Sequence, residues 1–149
     1  MPDFMGPIRT ERFQVEIDGV DAQGFQRVEM PSHSTQTNEY REGNDPVFSR
    51  RLWGQTQYED LTLVRGAKES DMALYEWRKL VKDGKMDEAR CDIAISVLDT
   101  IGDAQLRFEF VDCWPKEYQP PSLDASGGGN DVATETIIVS YNEYDRVSP

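Results

Sequence analysis

One histidine, two cysteines and 28 carboxylates are the raw material for chemistry in this chain of 149 residues. His33, in the polar run PSHST, would have to be the base of any Ser/His/Asp or Cys/His arrangement. A lone histidine in a loop is far more often a surface residue. Cys91 and Cys113 lie too far apart for the short spacing of zinc ligands, and isolated cysteines in a cytoplasmic protein are usually buried thiols. The glycine run SGGGN (126–130) precedes a strand and lacks the lysine of a phosphate loop. Carboxylate pairs such as Asp21 with Glu29 arise by chance among so many acids. The chain reads as non-enzymatic, with no metal or cofactor implied.

The elements around these residues are more informative. Phe48 to Gly66 reads FSRRLWGQTQYEDLTLVRG and leads into the amphipathic stretch SDMALYEWRKLVKDGK, Ser70 to Lys85. A polar, arginine-bearing loop, a strand, a glycine break and a helix follow in that order. Within the helix, Leu74, Trp77, Leu80 and Val81 recur at helical spacing, with Ser70 as the expected N-cap and Gly84 as the stop. Elsewhere the period is two. Thr10–Ile17, Phe25–Met30, Tyr58–Arg65, Arg90–Leu98, Gln105–Val111 and Ala133–Glu143 read as strands, the fourth and fifth forming a hairpin through Thr100–Asp103. Pro31 to Gln55 reads as a long polar loop turning near Gly43–Pro46, and a loop of that length is usually functional or disordered. Trp114-Pro115 is expected to stop its strand. On the last strand Ile137, Val139 and Tyr141 share one side, and Thr134, Thr136, Ile138 and Ser140 the other. The expected fold is mainly β (α+β): one domain spanning 1–149, an antiparallel barrel or sandwich of six or seven strands with one packed helix.

Charge narrows the partners. With 16 bases against its acids the chain carries a formal −12, which argues against phosphate-neutralising nucleic-acid grooves and anionic membranes. The acidity reads either as a solvating surface or as salt adaptation. No segment has the roughly 20 apolar residues of a bilayer span, and the start MPDFMGPIRTERFQ has no signal-like apolar run. Cytoplasmic synthesis without membrane insertion is expected. Trp53, among arginines in the polar loop, either folds back or anchors another chain; the enrichment of Trp and Arg at interface hot spots favours the second.

Seven segments carry a resemblance: FQVEIDGV (13–20), GFQRVEMP (24–31), EYREG (39–43), SRRLWGQTQYEDLTLVRG (49–66), LYEWRKLV (74–81), FVDCWPKEY (110–118) and ATETIIVSYNEY (133–144). In this order they resemble the tail-tube proteins of contractile-tailed phages and contractile injection systems, related to the haemolysin-coregulated tube proteins of type VI secretion. The resemblance implies rings of six that stack into a hollow tube inside a contractile sheath. Implied partners are copies of itself, the sheath protein, baseplate and tube-terminator proteins, and cargo or a tape-measure protein in the lumen; the implied site of action is a virion tail or injection particle. It also implies an inter-ring loop near 39–57, with Tyr40, Arg41, Arg50, Arg51, Leu52 and Trp53 as contact candidates. Thr134, Thr136 and Ser140 are the lumen candidates, since small polar groups do not grip cargo. The chain departs from the pattern in its stronger acidity and in SGGGN. A baseplate tube initiator and a small soluble adaptor or effector-binding module are the alternatives.

Overall fold

The computed structural model describes residues 7–40, 50–126 and 132–149. The strands are β1 (Phe13–Ile17), β2 (Val20–Ala22), β3 (Phe25–Glu29), β4 (His33–Tyr40), β5 (Arg50–Tyr58), β6 (Leu61–Gly66), β7 (Cys91–Leu98), β8 (Ala104–Gln119), β9 (Thr134–Ser140) and β10 (Glu143–Val147), with helices α1 (Ala73–Lys82) and α2 (Met86–Ala89) between β6 and β7. Eight strands form one antiparallel system in the order β2-β1-β7-β8-β9-β6-β3, with β10 added along β8. Its two halves share β8, whose first part lies between β7 and β10 and whose second part pairs with β9.

Apolar alternation decides which faces meet. Val15, Leu61, Leu63, Ile93, Ile95, Phe110, Ile137 and Val139 are essentially inaccessible and form the core with Leu74 and Cys113. Truncating Leu61 or Leu63 there would cost about 2–5 kcal/mol. On β9 the buried partners of Ile137 and Val139 follow the expected period, leaving Thr134, Thr136, Ile138 and Ser140 half-buried on the other face.

Five expectations change. The helix is shorter at both ends, and Asp71, rather than Ser70, receives an N–H of its first turn: Ala73 N donates to Asp71 Oδ1 at 3.1 Å. It stops as expected. Gly84 takes φ +79°, its N–H reaches Val81 O at 3.0 Å and Lys85 N–H reaches Leu80 O at 2.8 Å, a Schellman closure. The short α2 then adds a second helix, and its Ala89 carbonyl accepts the Trp77 indole N–H at 2.6 Å.

Pro115 does not end its strand. It pairs with Val139, directly before a register shift and just after β8 leaves β7 at the Cys91–Cys113 pair. The missing N–H thus falls where the ladder is already interrupted. Two short strands, β2 and β10, extend the sheet beyond the expected six or seven. The last change is the largest: most of the polar loop is a β-hairpin, β4 with β5.

Candidate assembly surfaces

The β4–β5 hairpin continues the β3–β6 ladder past a kink at Pro31–Ser32 and Glu59–Asp60, where Glu59 N–H donates to Ser32 O at 3.0 Å. It forms a two-stranded sheet of its own. Ser34 to Asn38 on β4 and Leu52, Trp53 and Gln55 to Gln57 on β5 are all exposed, so among the described residues neither face of this arm is covered. Two-stranded hairpins in water are marginal at best. Within the arm, Thr35 and Thr56 hydroxyls meet at 2.9 Å. One register shift sets Gly54 and Gln55 against Gln36. A side chain at Gly54 would come within 3.1 Å of the Gln36 carbonyl oxygen, so glycine suits that close approach.

An aromatic cluster seats the base of the arm on the core. Tyr58 and His33, paired across the arm's first rung, lie 5.7 and 5.5 Å from the Tyr144 ring, which stacks on Phe110 at 5.0 Å. Tyr144 OH donates to Pro31 O at 2.6 Å and Tyr141 OH donates to Glu59 O at 2.7 Å. Each strand of the kink is held by one phenol. Burial raises both phenol pKa values, so the phenols remain donors throughout the neutral range.

Beneath α1 lies a buried ionic knot. Arg65 Nε donates to Glu135 Oε1 at 2.9 Å, and the other Glu135 oxygen accepts from Tyr118 OH at 2.7 Å. Arg65 Nη2 sits 3.1 Å from Asp71 Oδ1, close enough for an ion pair but off the line of a hydrogen bond. The guanidinium also lies 5.9 Å from the Phe25 ring centre. Beside the helix an open groove of about 700 Å³ runs between α1 and β8–β9, walled by Tyr75, Arg78 and Lys82, with Ile138 and Lys116 across from them.

Five of the six sequence-derived contact candidates therefore share one arm. Tyr40 pairs with Arg50, Glu39 with Arg51, Asn38 with Leu52 and Thr37 with Trp53. Arg41 and the Gly43–Pro46 turn lie outside the described residues, as does most of SGGGN. Leu52 is 47% and Trp53 84% exposed. The lumen candidates Thr134, Thr136 and Ser140 share one face of β9, opposite Gly66 and Val64 of β6 and Gln119 and Trp114 of β8. Sequence reasoning missed the base clamp. Two tyrosines spaced like Tyr141 and Tyr144, just after a buried strand, were its available signal.

Among the described residues no group of three or more His, Cys, Asp or Glu is placed to hold a metal, and no helix is long and apolar enough to cross a membrane. Residues 9–145 match the family described as T4-like virus tail tube protein gp19. The chain belongs to that family. No curated protein sequence matches it. Among solved structures, a chain of the extracellular contractile injection system PVC sheath–tube complex in the extended state superposes with a TM-score of 0.84 at 24% identity, covering 98% of this chain and 95% of the other. A chain of the anti-feeding prophage tube-terminating cap gives 0.81 at 23% identity, covering 100% and 96%. Hcp1 from Flavobacterium johnsoniae gives 0.57 at 14% identity, covering 90% and 93%.

Proposed function

We propose that this tail tube protein is the repeating subunit of an inner tube, arranged in six-membered rings that stack into a hollow conduit within a contractile sheath. The observation that carries the reading is the arm: among the described residues it is a hairpin wet on both faces with both outer edges unpaired, and it finds its missing neighbours on other copies. Membership of a tail-tube family and likeness to a chain from a sheath–tube complex support tube, sheath, baseplate and terminator as partners. The subunit's role is structural and requires no cofactor. Synthesis in the cytoplasm precedes incorporation into a tail or injection particle.

Inter-ring contact falls to the arm, through Tyr40, Arg50, Arg51, Leu52 and Trp53, with Arg41 next to it in sequence. Thr134, Thr136 and Ser140 line the conduit past which a protein effector, DNA or a tape-measure protein moves. Six copies at −12 each give a ring a formal −72, so stacked rings repel. Arginines on the arm offset this where they meet carboxylates of the next ring, and salt screens the remainder with a Debye length near 8 Å at physiological strength. Replacing Arg50 and Arg51 together with Glu should leave a folded subunit that no longer forms tubes in negative-stain images. Tubes of normal length from that variant would refute the assignment. Long tubes grown by the unaltered chain alone would identify the main subunit rather than a baseplate initiator.

A further inference from the structure

We infer that Trp53 of one copy inserts into an apolar slot at the β3 edge of the next copy, a knob and hole that join successive rings. The inference rests on the tube reading and names the surface that receives the arm. The slot, about 240 Å³, opens between β3 and the inner face of β1, β7 and β8, and is lined by Phe13, Val28, Met30, Ile95, Val97 and Phe108. It is a break in the sandwich where core side chains meet solvent, and Met30 at its mouth is 41% exposed.

Trp53 is the chain's most exposed tryptophan and needs such a site. Trp77 is already bonded through its indole to the Ala89 carbonyl, and Trp114 is half-buried on β8. An enclosed tryptophan removes about 150–250 Å² from water. On the rim of the slot Arg27, paired with Glu29 at 2.8 Å and with 65% of its side chain exposed, can also lay its guanidinium on the indole face.

Geometry selects a second copy as the occupant. Trp53 pairs with Thr37, four residues beyond the His33–Tyr58 rung, so it stands about 13 Å out along the arm at roughly 3.3 Å per residue. Met30 and the slot lie at the arm's own base, where its own Trp53 is not seated. Each subunit thus carries one knob and one hole on different surfaces, a head-to-tail contact that runs on from ring to ring where its rotation does not close. The area suffices as well. An arm with strands of 8 and 9 residues, open on both faces, offers on the order of the 800 Å² per partner found in stable interfaces.

The test compares tube growth of three variants with the unaltered chain, by sedimentation and negative-stain microscopy. Trp53→Ala and, separately, Met30→Glu should remain folded by circular dichroism, since both positions are exposed, and each should raise the critical concentration for tube growth at least about tenfold. Trp53→Phe should restore most of the loss. In a mixture of Trp53→Cys and Met30→Cys chains, oxidised glutathione should then trap a disulfide between two different chains, releasing two equivalents of reduced glutathione. Unchanged growth of Trp53→Ala, or no trapped pair in tubes that do form, overturns the slot and leaves the tube reading intact. An unaltered chain that never assembles overturns both.

Discussion

Arg65 and Glu135 face each other across β6 and β9 at 2.9 Å, each with only 7% of its side chain accessible. Among the described residues they are the buried charged side chains. Breaking such a pair from one side leaves the other charge buried, with only Asp71 to meet Arg65 or the Tyr118 hydroxyl to meet Glu135. Arg65→Met or Glu135→Leu alone should therefore cost about 3–5 kcal/mol in urea unfolding, and the double replacement clearly less than the sum. Strictly additive costs would contradict the pairing.

Asp71 joins this knot to the start of α1. Its bond from Ala73 N–H, followed by the Arg65 charge, outweighs burial and holds its carboxyl below the usual value. A depressed carboxyl stabilises the fold at pH values above the unfolded-state value of about 3.9, and that contribution is lost as pH falls through the lower folded value. Because the side chain is 41% exposed, the contribution is at most about 1 kcal/mol. Asp71→Asn should lower stability at pH 7 by that amount, and its stability curve should converge with that of the unaltered chain once the pH falls below the lowered folded value. A constant offset across the acid range would show that the charge contributes nothing.

Cys91 and Cys113 stand opposite one another in the β7–β8 register, yet both are free thiols. Burial and then the neighbouring Asp18 and Asp92 carboxylates push Cys91 up to about 11; burial and then Cys91 push Cys113 up to about 12. Thiolates are the reactive form. Native subunits at pH 8 should react only slowly with Ellman's reagent, and both thiols should titrate at once on unfolding. Fast modification of the folded protein would show that β7 opens locally.

The core strands were legible because one face of each is apolar: Val15 on β1, Leu61 and Leu63 on β6, and Ile137 and Val139 on β9 announce themselves by alternation. The arm was not. His33 to Asn38 carry no apolar residue because both faces of that strand are wet, so the period that marks a strand never appears. Pro115 misled for a different reason: its strand survives by changing neighbours at that point. Of the candidate site, Arg50, Arg51 and Trp53 stood out by residue type before their pairing was known. Tyr144 did not, since it reaches the Pro31 carbonyl across 113 residues of chain.

β8 runs for 16 residues through both halves of the sheet system. A pull applied to either half passes along this one covalent segment into the other, in shear across several rungs at once instead of peeling them singly. The two halves consequently yield together or hold together. A conduit assembled from such units would transmit thrust along its length as a stiff column, with compliance confined to the joints between units.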